Sequence, residues 1–269
     1  MIRLGHIEYS NCFPIHAELL EPSVSDVQVV RGTPAELNRA LDAGEIDLAP
    51  ASSIEYARHV GRYRVLPDFV IGAQGAVHSI LFESTRPIDE LNNTTVAIPT
   101  ASATSVVLLK VLLRLKYNVT VNFQWFTQES GRDPVAEGAA AALWIGDVAL
   151  RRAFAPMRLV VDLGSEWTAW THLPFAFAVW QTTVPAERAA ELAPLMAAFR
   201  RSRARFREQP VQMAEQYAHL FGMPAAKLAR YWKSLRYEFD PAMQDGLLHF
   251  YRLASTLGEA PRVDAIAWA

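Results

Sequence analysis

A two-lobed α/β fold with a ligand cleft between the lobes is the architecture this sequence predicts, and three observations predict it. The phrase Gly44-Glu45-Ile46-Asp47-Leu48-Ala49 near the start is echoed by Leu143-Trp144-Ile145-Gly146-Asp147-Val148-Ala149 in mid-chain, each reading as a helical stretch that feeds a short apolar strand and an acid-bearing turn. At 269 residues the chain exceeds the usual single-domain size of roughly 100–200 residues, so two lobes fit. The chain also leaves the first block of strands near Phe82 and returns near Trp180, and two crossings make a hinge. The expected division is residues 1–83 with 181–269 as one lobe and 84–180 as the other. Clefts between lobes are where small molecules usually bind.

The elements follow in order. Ile2-Arg3-Leu4-Gly5 is strand-like, and Asn11 lies in the turn Tyr9-Ser10-Asn11-Cys12-Phe13-Pro14 just beyond it. In an open α/β sheet that end of a strand faces the crevice. An Asn before Pro14 equally suits a plain turn. Thr33-Pro34-Ala35-Glu36 is a helix start, with Thr33 as N-cap, Pro34 in the first turn and Glu36 completing a capping box. Leu37, Ala40 and Leu41 give that helix its apolar stripe and Gly44 its stop. Ser52-Ser53-Ile54-Glu55 predicts a second capping box, Ser52 capping and Ser53 facing a ligand. Val77 to Phe82 is a strand candidate carrying His78 and Ser79 on opposite faces.

Val96-Ala97-Ile98-Pro99 reads as a buried strand that runs through Thr100 to Ser105 into an apolar helix, the usual geometry of an anion site. Here Ser102 is the expected cap, with Thr104 and Ser105 the expected ligand contacts. Two such helix starts, one per lobe, suit a substrate with two carboxylates. Asp47 is expected to be a turn or cap residue, and Asp147 either that or a ligand group. Leu173 to Trp180 is apolar on both faces, as a strand buried between lobes would be. Beyond it Pro185, Pro210, Pro224 and Pro241 are each placed like a helix start.

Composition narrows the function classes. Hydrophobic residues make up 51% and charged residues 20%, with a formal net charge of −2, so there is no broad basic field for nucleic acid or an anionic membrane. The arginines between Arg200 and Arg207 fit a solvated helix face. Cys12 is the one cysteine, so no disulfide within the chain and no Cys-based zinc site is expected. Met1 runs directly into a strand with no secretion signal and no apolar run reaches the ~20 residues of a membrane helix, so a cytoplasmic protein is expected. Neither a Gly-Lys-Ser/Thr phosphate loop, a GxGxxG, a His-Glu-x-x-His nor a Gly-x-Ser-x-Gly occurs. No metal and no cofactor is therefore expected.

Several segments together resemble the chorismate dehydratases of the futalosine route to menaquinone. They are Gly5-His6-Ile7 through Asn11 to Pro14, Asp47 through Ser52-Ser53-Ile54-Glu55-Tyr56, Val77-His78-Ser79-Ile80, Ser102-Ala103-Thr104-Ser105, Ile145-Gly146-Asp147, and Asp162-Leu163-Gly164 through Trp167 to Leu173-Pro174-Phe175. The resemblance implies the two-lobed fold of type II solute-binding (periplasmic-binding-protein-like) proteins, used as a lyase that dehydrates chorismate to 3-[(1-carboxyvinyl)oxy]benzoate. Asn11 and Ser79 are then the expected catalytic positions, and Ser52, Ser53, Ser102, Thr104, Ser105, Gly146 and Asp147 the expected substrate contacts. A sister family of the same pathway opens with a Ser-Pro-Cys-x-Asn-Asp type motif, where this chain has Tyr9 to Pro14. The alternative class is a non-catalytic binding or sensor protein for a small carboxylate.

Overall fold

The computed structural model describes residues 1–20, 27–128 and 131–269, which contain two five-stranded sheets. The first is built on β1 (Ile2–Ile7), which pairs in parallel with β2 (Val27–Gly32) on one side and β3 (Leu48–Ser52) on the other. β10 (Phe175–Thr182) runs antiparallel between β3 and β4 (Arg64–Ala73), giving the order β2-β1-β3-β10-β4. The second sheet repeats this plan: β6 (Thr95–Pro99) pairs in parallel with β7 (Asn122–Phe126) and β8 (Ala141–Ile145). β5 (Ile80–Ser84) lies antiparallel between β8 and β9 (Leu159–Asp162), and the order is β7-β6-β8-β5-β9.

The sheets therefore divide the strands differently from the expected 1–83, 84–180 and 181–269 partition. β5 pairs in the second sheet and β10 in the first, so the chain crosses before Ile80 and again before Phe175. All eight residues of β10 are buried, which is why its sequence is apolar on both faces without being the last strand of the second lobe.

The echoed phrase needs a similar correction. Matching the sheet orders makes β3 the counterpart of β8, but Asp47 precedes β3 whereas Asp147 follows β8. Asp47 accepts hydrogen bonds from the Arg3 backbone N–H at 2.8 Å and from its guanidinium at 2.6 and 3.1 Å, fixing the start of β1. The Ala-rich stretch before β8 forms turns rather than a helix, since Pro134 and Gly138 interrupt it.

The helix signals are local. α2 (Pro34–Asp42) starts on the complete Thr33/Glu36 capping box. A one-turn helix, α1 (Phe13–His16), follows the turn after β1. α3 (Ser53–Arg58) follows β3 directly, and α4 (Thr104–Val111) follows β6. α5 (Gly146–Arg151) follows β8, and α6 (Leu163–Thr171) is capped by Asp162. The Asp162 carboxylate also accepts the N–H groups of Val77 and His78 at 3.1 and 2.7 Å, tying the first crossing to the second lobe. Pro185 opens a 3-10 segment, after which come α7 (Ala193–Glu208), α8 (Pro210–Phe221), α9 (Ala225–Ser234) and α10 (Pro241–Thr256). The arginines of α7 are not merely solvated: Arg200 pairs with Asp68, Arg201 with Glu18 and Arg207 with Glu238. One large apolar core runs beneath both sheets and the C-terminal helices.

Candidate active site

A small cavity of about 50 Å³ lies between the two lobes. Its wall takes Tyr9, Asn11 and Ser52 from the first lobe and Ser102, Ser105 and Gly146 from the second. Ile71 and Phe177 supply an apolar side opposite Ile80 and Ile145. Among its described lining residues there is no Asp, Glu, His, Lys or Arg, although four polar side chains besides Tyr9 converge there. A larger groove of about 640 Å³ lies outside, between α2, α3 and α4, and shares Ser102 with the cavity. Its walls carry acids and bases side by side, among them Glu259, bonded to Lys110 at 2.7 Å and 3.5 Å from Arg58. The inner cavity is the better candidate, because polar side chains of both lobes converge there and one of them, Asn11, has an unpaired buried oxygen, whereas the groove's ion pairs largely satisfy each other.

Asn11 sits in the 3-10 turn Ser10–Cys12 that β1 delivers to the cleft. Its backbone carbonyl accepts the Tyr237 hydroxyl at 3.0 Å, but its side-chain Oδ1 is buried with no hydrogen-bond partner among the described residues. Buried polar atoms are ordinarily paired, so an orphan on a cavity wall points to a ligand.

The two adjacent pairs of hydroxyl residues divide otherwise than the sequence predicts. Ser52 makes no side-chain cap bond and lines the cavity, while Ser53 is buried and donates to the Ala176 carbonyl at 2.7 Å. Because α3 begins at Ser53 itself, Ser52 still belongs to the strand, and its side chain points where β3 directs it. Thr104 does not line the cavity either. Its hydroxyl accepts the Ile54 N–H at 3.2 Å and lies 3.4 Å from the Ser53 hydroxyl, a contact from lobe to lobe. Ser102 accepts the Ser105 N–H at 3.3 Å and donates to the Ser105 hydroxyl at 3.1 Å, and both residues line the cavity.

Ser79 lies just before β5, buried, and accepts the Tyr231 hydroxyl at 2.9 Å; it is off the cavity wall. His78 is exposed with φ +63°. Gly146 adopts φ +60°, and a Cβ there would meet the Tyr9 ring at 2.7 Å, so only glycine allows the tyrosine to close over it. Asp147 is 5% exposed and its carboxylate is engaged by Ser10 of the other lobe. Burial raises its pKa against the opposing pull of those hydrogen bonds. Ile71 and Phe177 carry no sequence signal, since an aromatic or aliphatic residue on a strand looks the same whether it faces core or cleft, and neither does Tyr9 in the turn after β1.

Behind the Asn11 turn lies a buried cluster that the spacing did not suggest: the ligand-type atoms of His6, Cys12 and His16 are all within 4.8 Å of one another. The Trp180 indole N–H donates to His16 Nε2 at 2.9 Å. An indole can only donate, so the proton of neutral His16 is on Nδ1, 2.9 Å from His6 Nδ1, which accepts it. Burial lowers the pKa of His6 to about 3 and that of His16 well below its ordinary value, and burial raises the Cys12 thiol. The cluster is a neutral network that anchors the turn.

A family model described as menaquinone biosynthesis matches residues 2–256. The chain belongs to that menaquinone-biosynthesis family. Among curated relatives it is 32% identical to a protein of Thermus thermophilus named chorismate dehydratase, over 92% of this chain and 93% of the relative. It is 31% identical to a Campylobacter jejuni protein of the same name over 65% of this chain and 64% of the relative. In fold it is similar to a crystal structure of an Archaeoglobus fulgidus protein, with TM-score 0.78 and 19% identity over 96% of this chain and 97% of that one. It is also similar to the periplasmic aliphatic sulphonate binding protein SsuA of Escherichia coli, with TM-score 0.68 and 16% identity over 100% and 93%. The chain thus has the architecture of periplasmic binding proteins.

Proposed function

We propose that this protein is a carbon–oxygen lyase that removes water from chorismate to give 3-[(1-carboxyvinyl)oxy]benzoate, in the biosynthesis of menaquinone. The observation that carries this reading is the relationship to chorismate dehydratases along nearly the whole chain. The chemistry suits the cavity. Chorismate bears a ring carboxylate, an enolpyruvyl ether at C3 and a hydroxyl at C4. Loss of the C3 proton and the C4 hydroxide makes the ring aromatic, so the site needs placement more than a strong acid or base.

With no ionisable side chain on the described wall other than Tyr9, the reading assigns the base to the substrate's own enolpyruvyl carboxylate, which can fold back toward C3. Ser52 and Ser105 hold carboxylates through hydroxyl donors, with Ser102 donating to the Ser105 hydroxyl, and the apolar Ile71/Phe177 side takes the ring. Asn11 turns its side-chain amide to the reacting edge, where the NH2 donates to the departing hydroxyl and the unpaired Oδ1 is free to accept from the substrate. Ser79 acts from behind the wall by supporting Gly146, whose N–H donates to its carbonyl at 2.8 Å. An early place in the futalosine route and a cytoplasmic location belong to the same reading; among the described residues no helix is long and apolar enough to cross a membrane.

Purified protein incubated with chorismate tests it. Catalytic conversion to an aromatic product lighter by one water is the expected result. Recovery of unchanged chorismate, bound at one equivalent, would replace the enzyme with a carboxylate-binding protein.

A further inference from the structure

The turn that carries Asn11 is held from the opposite lobe. Asp147, the second residue of α5, accepts the Ser10 backbone N–H at 3.0 and 3.2 Å through its two oxygens and the Ser10 hydroxyl at 2.6 Å through Oδ1. Ser10 is itself fully buried, and its carbonyl accepts the Trp232 indole N–H at 2.8 Å. The next carbonyl, that of Asn11, accepts the Tyr237 hydroxyl at 3.0 Å. The backbone on either side of the Asn11 side chain is thus pinned by Trp232 and Tyr237 from the C-terminal helical region and by Asp147 from across the cleft. Asp147 is not among the residues that line the cavity, and its carboxylate meets the cavity wall through this turn.

We infer that Asp147 is a positioning residue for the dehydration, orienting Asn11 by taking both donors of Ser10. The inference rests on the proposed function, in which Asn11 meets the reacting edge of the substrate. It reassigns Asp147 from substrate contact to a second-lobe brace, and it makes Ser10 the intermediary. A carboxylate suits the task better than an amide, because two donors converge on it and a carboxylate only accepts. Burial raises the pKa of the group, and the hydrogen bonds from Ser10 pull the other way.

The test is a double-mutant cycle on kcat, with melting temperatures recorded for every variant. Asp147→Asn and Ser10→Ala should each lower kcat about tenfold with little change in KM and with native-like melting. In the Asn11→Ala background, the same two substitutions should lower kcat less than twofold further, because the group they orient is already gone. Asp47→Asn, which loosens Arg3 far from the cleft, should leave kcat unchanged. Equal fold losses in both backgrounds, or wild-type kcat in both Asp147→Asn and Ser10→Ala, would overturn the inference while leaving the proposed reaction intact. Wild-type kcat in Asn11→Ala would remove Asn11 from the site and the inference with it. Failure of the wild-type enzyme to turn over chorismate would instead strike the proposed function itself. Should Asp147→Asn not fold, Ser10→Ala alone completes the cycle, as it deletes a single hydroxyl.

Discussion

Single hydroxyl groups on neighbouring residues of this cleft do different work, and substitution should separate them. Ser105 presents its hydroxyl to the cavity, so Ser105→Ala should remove a charge-assisted hydrogen bond of about 1.5–3 kcal/mol and lower kcat/KM roughly 10- to 150-fold. Thr104 instead satisfies a buried N–H of the other lobe, so Thr104→Val should leave that donor unpaired and lower stability of the closed form by about 1–3 kcal/mol. Steady-state kinetics beside urea melts distinguish the two, and a Thr104→Val enzyme of full stability would show that the lobes do not meet through this hydroxyl. The sequence marks these residues as a group but not their individual roles. A one-residue shift in where a helix begins redirects each side chain, and whether α3 starts at Ser53 or Ile54 is decided by β3 and by Thr104, neither of which is local information. Asn11 was legible because a strand end followed by a turn faces the crevice in this class of sheet; its missing partner was not.

Elements meet in the buried His6–Cys12–His16 network, which joins β1, the turn after it, α1 and, through Trp180, β10. Both imidazoles are held neutral, so the sign of the pH effect follows directly. An unfolded histidine takes up a proton near pH 6.5, whereas the folded protein resists protonation until about pH 3 at His6 and well below the ordinary value at His16. Their stabilising effect is complete above pH 6.5 and is lost as pH falls toward the folded values, at about 1.4 kcal/mol per pH unit for each histidine. Urea unfolding at pH 7.5, 6.0 and 5.0 should therefore show stability falling steadily, in a window above the range where most carboxylates titrate. Flat stability from pH 7.5 to 5.0 would mean that the cluster is not held neutral. At this scale the helices were the legible part, because the Thr33/Glu36 capping box, N-terminal prolines and glycine stops are chemically local, although the box expected at Ser52 does not form. The network was hidden, since His6, Cys12 and His16 have no metal-like spacing and Trp180 is far away in sequence.

Two sheets of matching order, joined by two crossings, make a molecule that must open to work. The cavity of about 50 Å³ is far below the roughly 300–1,000 Å³ of sites that hold a drug-sized ligand, so chorismate fits there only if the lobes part. Two lobes and two crossings were readable from strand content and length; which lobe takes β5 and β10 was not, because both are antiparallel strands inserted inside the sheets and their apolar sequences fit either lobe. Closure has two convenient reporters. The Ser10 N–H bonds to Asp147 and the Ile54 N–H to Thr104, both across the cleft, whereas β1 amides bond within one sheet. In unliganded enzyme the two cleft amides should exchange with solvent at the rate set by lobe opening, much faster than β1. Product should slow them without affecting β1, because a ligand that bridges the lobes binds only where they meet. At about 100 times its Kd such a ligand adds about 2.7 kcal/mol to the closed form, so protection of both amides should rise about 100-fold. Equal protection with and without product would mean that the lobes do not part, and that substrate reaches Asn11 through the outer groove beside Ser102 instead.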